Sequence, residues 1–111
     1  MSQAPFPYAG DPELRLPIEN ALRGVIDPEM SLNIVELGLV YGVRVEADAV
    51  HVSVTMTSAA CPVAELIVDD IGQGLRDVLG AERDVRVDLC WEPPWTPERM
   101  SAKARFAMGW D

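Results

Sequence analysis

Cys61 sits in the run Met56-Thr57-Ser58-Ala59-Ala60-Cys61-Pro62, where an apolar strand pattern ends and a long helical pattern begins. A thiol at a helix start feels the positive end of the aligned peptide dipoles, and a thiolate there can accept from unpaired backbone N–H groups. The thiolate is the form that attacks electrophiles and binds metals. The dipole contributes roughly 0.3–1 kcal/mol, enough to bias a thiol but not to ionise it alone. The same position also suits a small buried hydrophobe, the common fate of a free cysteine. Position alone does not separate the two readings.

Thr57 and Ser58 place hydroxyls just before Cys61. They can end a strand and cap a helix, or donate to a bound sulfur or oxyanion, and the two roles are compatible. Asp27 and Glu29 flank Pro28 as an acidic pair. The structural reading is helix termination and solvation. The functional reading is a pair of carboxylates bordering the thiol pocket, able to ligate iron or to act as base for the Cys61 thiol. Cys90 points away from Val87, Leu89 and Trp91 in strand alternation and reads as structural filler. His51, the single histidine, falls on the polar side of its strand, too far along the chain from Cys61 for an in-chain Cys–His pair.

No Cys-x-x-Cys, paired-histidine motif or cysteine cluster is present, which argues against a structural zinc site. An iron–sulfur cluster usually takes four cysteines. One chain cannot supply them around Cys61, so a cluster here would need a second subunit, a small thiol or a partner protein. No phosphate-binding glycine loop is present, and no nucleotide is expected.

The 111 residues carrying these groups suffice for one domain, and 49% of them are hydrophobic, enough for a modest core without disulfides. The net charge of -9 offers no positive footprint for nucleic acid and no polybasic membrane segment. With two cysteines, an N-terminus unlike a signal peptide and no membrane-length apolar run, the expected setting is a reducing cytoplasm with free thiols.

Residues 1–14, with Pro5, Pro7, Gly10 and Pro12 among polar and small residues, read as a flexible N-terminal tail, and residues 15–109 as the domain. A first helix is expected from about Pro17 to Ile26, with Ile18, Ala21, Leu22, Val25 and Ile26 on one face, stopped at Asp27-Pro28. Asn33-Ile34-Val35-Glu36 carries a capping-box-like pattern, giving a short helical turn ended by Gly38. Val43 and Val45, then Val50, Val52, Val54 and Met56, alternate with polar residues across a short connection, which predicts an antiparallel hairpin. A second helix is expected over Pro62–Leu79 with Val63, Leu66, Ile67, Ile71, Leu75 and Val78 buried. A third strand follows, with Val85, Val87, Leu89 and Trp91 facing one way, as part of a right-handed crossover. A last helix is expected from Pro97, capped by Thr96 and carrying Met100, Ala104, Ala107 and Met108. The sum is an α/β (α+β) single two-layer domain: a mixed three-stranded sheet, hairpin plus crossover strand, packed with about three helices.

Four runs in order carry a resemblance. They are Asp27-Pro28-Glu29-Met30, Asn33-Ile34-Val35-Glu36-Leu37-Gly38-Leu39-Val40-Tyr41, the run Thr57 to Pro62, and Trp91-Glu92-Pro93-Pro94-Trp95-Thr96-Pro97 with Met100-Ser101. Over residues 15–109 the chain resembles the small iron–sulfur cluster assembly domain family, which includes the SufT-like bacterial factors, PaaD and the eukaryotic cytosolic iron–sulfur targeting subunit. The resemblance implies a non-enzymatic factor for iron–sulfur protein maturation, delivering or targeting cluster or iron to apo-proteins. The implied site is Cys61 as reactive thiol and metal or cluster ligand, with Asp27, Glu29, Thr57 and Ser58 around it. The implied cargo is a transient iron–sulfur cluster or iron. The implied partners are iron–sulfur assembly proteins and apo-protein clients, and a one-thiol site makes a homodimer attractive. Where the family often has Pro-Gly before the cysteine, this chain has Ala59-Ala60, which limits the backbone angles there. PaaD-like members carry a cysteine-rich tail, and the chain stopping at Asp111 without one is expected to fall on the SufT-like branch. Two other classes stay open on the residues: a thiol enzyme with Cys61 as nucleophile and Asp27 or Glu29 as base, and an interaction module docking through the tail, the Pro-Pro-Trp loop and Trp110.

Overall fold

The computed structural model describes residues 6–28, 30–56, 64–80 and 83–109. Its elements, in chain order, are β1 (Tyr8–Ala9), α1 (Pro12–Arg23), β2 (Ile26–Asp27), β3 (Leu32–Asn33), β4 (Val40–Val45), β5 (Ala49–Val54), α2 (Ala64–Leu79), β6 (Asp84–Leu89), a 3-10 turn over Pro97–Arg99, and α3 (Ala102–Ala107).

The hairpin forms as its alternation predicts. β4 and β5 pair antiparallel, with Val43 opposite Val52 and Arg44 opposite His51. Val50, Val52 and Val54 turn to the core and are buried, while His51 and Ser53 turn to the open face. β6 pairs parallel to β5 after the α2 crossover, as expected. The sheet is wider than the three strands expected. β1 adds on the far side of β4, parallel to it, giving the order β1-β4-β5-β6, and β2–β3 form a separate two-stranded ribbon. The α+β class and the two layers hold.

The tail expected over residues 1–14 is, from Phe6 onward, part of the fold. Phe6 is buried, Tyr8 lies opposite Val43, and α1 begins at Pro12 rather than Pro17. Asp11 caps the helix, its carboxylate accepting from the Glu13 N–H at 2.9 Å. The apolar row also starts a turn earlier than expected, with Leu14 against the core ahead of fully buried Ile18 and Leu22. Pro17 sits inside the helix, where it deprives only the Glu13 carbonyl of its usual donor. The helix stops at Gly24, so Val25 is buried beyond its end and Ile26 is exposed.

In α2, Ile67, Ile71 and Leu75 are fully buried and Leu79 continues their row. Leu66 and Val78, expected inside, lie on the flank of that row and are exposed; Val63 lies outside the described residues. Val85 and Val87 pack partly on the core, whereas Leu89 and Trp91 are exposed because β6 is an edge strand only half covered by α2. The last helix is delayed. Pro97–Arg99 makes a 3-10 turn, and Ser101, not Thr96, caps α3 by accepting from the Ala104 N–H at 3.0 Å. Met100 and Ala104 are buried as expected, and Ala107 is not. Among the described residues, no helix is long and apolar enough to cross a membrane.

Candidate functional site

Of the five residues expected to form the site, Asp27 is described, and Glu29, Thr57, Ser58 and Cys61 lie outside the described residues. Asp27 closes β2 opposite Leu32 and is completely buried. Its main-chain carbonyl accepts from Met30 at 3.2 Å and Ser31 at 2.8 Å, a tight reversal that Ser31 completes with φ at 58°. The solvated, helix-stopping reading of this residue therefore fails. α1 ends at Arg23, before Asp27 is reached, and the Asp27 side chain is withdrawn from solvent.

Thr55 is the other fully buried polar residue among those described, and its hydroxyl has no hydrogen-bond partner among them. Sequence alternation puts Thr55 with His51 and Ser53 on the polar side and gives no sign of its burial. Its N–H donates to the Leu39 carbonyl at 2.8 Å, and the Cys90 N–H donates to the Val54 carbonyl at 2.7 Å. Thr55, Met56 and Cys90 thus gather at the carboxyl end of the parallel β5–β6 pair. In open α/β sheets that end is where ligands bind. Residues 57–63 join Met56 to α2, which starts at Ala64 with Glu65 in its first turn. Cys90 is a half-buried free thiol. His51 is engaged elsewhere, its Nε2 standing 3.1 Å from Glu46 Oε1 on the open face.

Two of the sequence runs singled out above are bonded to each other. Asn33 Oδ1 accepts from the Glu36 N–H at 2.9 Å, which makes the expected capped turn. The Glu36 carboxylate does not reach back to Asn33. It accepts from Arg23 Nη1 on one oxygen and from the Ser101 hydroxyl on the other. The Ser101 hydroxyl, then Arg23, hold Glu36 below the usual carboxylate range, and Glu36 in turn pushes Arg23 up. Trp95 Nε1 donates to the Leu37 carbonyl at 2.7 Å, and the Tyr41 hydroxyl donates to the Pro93 carbonyl at 2.7 Å. The Arg99 guanidinium lies 4.7 Å from the Tyr41 ring centre, in reach of a cation–π contact. Trp95 and Ser101 are therefore anchors of the turn, a role that sequence patterning did not assign to Ser101.

Among the described residues, no group of three or more His, Cys, Asp or Glu side chains could hold a metal. The donors they offer at the carboxyl end of the sheet are one thiol, Cys90, and one hydroxyl, Thr55.

The fold and these motifs define a family. The chain belongs to the iron–sulfur cluster assembly protein family, whose model matches residues 16–89. It is 44% identical over 93 residues to the Fe-S protein maturation auxiliary factor YitW of Bacillus subtilis, covering 83% of this chain and 90% of that protein. It is 42% identical over 86 residues to the Fe-S protein maturation auxiliary factor SufT of Staphylococcus aureus, covering 77% of this chain and 97% of that protein. Its fold is similar to the crystal structure of a domain of unknown function from Bacillus anthracis, with a TM-score of 0.78 and 41% identity over 83% of this chain and 88% of that one.

Proposed function

We propose that this protein is a non-enzymatic maturation factor that handles iron or an iron–sulfur cluster as cargo and passes it to apo-protein clients. The observation that carries the reading is the family match over residues 16–89, a span that includes Asp27, Glu29, Thr57, Ser58 and Cys61. The relatives named as auxiliary factors support it. Cys61 is the thiol that takes the cargo. Asp27 and Glu29 border it, and Thr57 and Ser58 supply hydroxyls. Transfer is a ligand exchange: an iron–thiolate bond to Cys61 breaks as one to a client cysteine forms. The client thiol's proton passes to the released Cys61 thiolate, and no electron is gained or lost. The setting is the cytoplasm, the partners are iron–sulfur assembly proteins and apo-clients, and a homodimer supplies a second Cys61.

The test is to reconstitute the full chain anaerobically with ferrous iron and sulfide and follow transfer to an apo-enzyme. The wild type should raise the rate at which the apo-enzyme gains activity, and Cys61→Ser should not, while both melt alike. Equal transfer by the two proteins sinks the proposal. So does normal cluster occupancy of client enzymes in cells lacking the gene.

A further inference from the structure

The outer edge of β6 takes no part in the reading above. β6 ends the sheet, so no strand lies on its outer side among the described residues. Its inner side is fixed by two amides: Asp84 N–H donates to Asp48 O at 2.9 Å, and Cys90 N–H to Val54 O at 2.7 Å. In a parallel ladder, alternate residues turn their main-chain groups to the same neighbour. The N–H and C=O groups of Val85, Val87 and Leu89 therefore turn outward. The strand has no proline and pairs with β5 without a register shift. A regular open edge of this kind is a template for another extended segment.

A groove runs beside this edge, between β6 and α2. One half, of about 310 Å³, is lined by Gly72, Arg76, Val85 and Val87, and the other, of about 200 Å³, by Ala64, Glu65 and Leu89. Val68 and Asp69 line both halves and join them. Gly72 puts no side chain into the groove. The residues with outward main-chain groups are thus the same ones whose side chains border the groove. At its Ala64 end stand Glu65 and Asp69, exposed, with no ion pair among the described residues.

We propose that the β6 edge and this groove dock an extended basic segment of a partner protein, added beside β6 as a further strand. Main-chain bonds to Val85, Val87 and Leu89 hold the segment, and alternate apolar side chains enter the groove against Val68. A lysine or arginine at the Ala64 end meets Glu65 and Asp69. A second copy of this chain is the poorer occupant of this edge, because its β6, with two aspartates and one arginine, brings a net acidic strand and not a basic one. The proposal does not depend on the role of Cys61.

The test is an NMR titration of the full chain with synthetic eight-residue peptides that alternate valine and threonine. One ends in two lysines and the other in two glutamates. The basic peptide should shift the Val68, Val85, Val87 and Leu89 signals and slow amide exchange at the three strand residues; the acidic one should not. Methylating alternate backbone nitrogens of the basic peptide should weaken it about tenfold or more, because the strand bonds are lost. The double variant Glu65→Gln, Asp69→Asn should weaken it roughly threefold to tenfold. Equal binding by the acidic or the methylated peptide overturns the proposal. So does an absence of binding by the basic peptide at about 1 mM, or self-association through β6 in its place.

Discussion

Ser101 grips Glu36 twice. Its hydroxyl donates to the carboxylate, and its backbone N–H donates to the Glu36 carbonyl at 2.8 Å. Arg23 takes the other carboxylate oxygen, and Arg23 itself is steadied by Glu19, whose Oε2 lies 3.1 Å from its Nε. The end of α1, the Asn33–Gly38 turn and the start of α3 are thereby tied at one carboxylate.

Because Glu36 titrates below its ordinary 4.5, through the Ser101 hydroxyl first and Arg23 second, its contribution has a defined pH window. The folded value lies below the unfolded one. The stabilisation is therefore complete above the unfolded value and is lost as pH falls through the folded one. Glu36→Gln should cost about 1–3 kcal/mol in urea unfolding near neutral pH. The gap to the wild type should close as the medium is acidified below the ordinary carboxylate range. A gap that stays constant into strong acid would mean that the carboxylate charge is not what stabilises the turn.

Gly38 has φ at 75° and faces the Arg99 backbone, so a Cβ there would lie 2.1 Å from the Arg99 carbonyl oxygen. Gly38→Ala combines a left-handed backbone with a main-chain clash that no rotamer relieves. It should destabilise by about 2 kcal/mol or more and free the Trp95–Ser101 segment. Unchanged melting together with unchanged protease resistance of the C-terminal segment would contradict this.

Trp95→Phe keeps most of the aromatic packing and removes the donor to the Leu37 carbonyl. The expected loss is about 1 kcal/mol. Thermal unfolding reads it directly. A variant as stable as the parent would show that water replaces the indole without cost.

For the proposed site, alkylation of the two thiols can be followed in one sample by mass spectrometry. Cys61 should be modified faster than Cys90 at and below neutral pH, because a thiol that takes the cargo does so as its thiolate. Cys90, half-buried at the end of β6, serves as the internal control. Equal, slow modification of both would return Cys61 to the role of core filler.

How much of this was legible follows from the range of each interaction. The β4–β5 hairpin and the Ile67–Ile71–Leu75 row repeat with their own periods, and reading those periods suffices. β1 was hidden because two residues, Tyr8 and Ala9, carry no period, and their strand character comes only from pairing with Val43 and Arg44. Pro17 misplaced the start of α1, since a proline suits a first turn but does not require one. Ser101 reads as an ordinary cap, and nothing near it in sequence announces Glu36. For the site, Asp27 stood out in the sequence as one of an acidic pair, but its burial depends on the β2–β3 reversal and the core around it. Thr55 was missed because alternation assigns a side, not what covers that side.

The bond between Ser101 and Glu36 spans 65 residues, and that between Trp95 and Leu37 spans 58. Chains fold largely from the N-terminus as they are made. The turn before β4 thus emerges from the ribosome long before its anchors do. A nascent chain can build the β4–β5 hairpin and α2, but it cannot close the turn until Trp95 and Ser101 have been added. Termination between Pro62 and Trp95 would leave a product that contains the Thr57–Pro62 run yet lacks the clasp. Such fragments should be recognised by quality-control proteases.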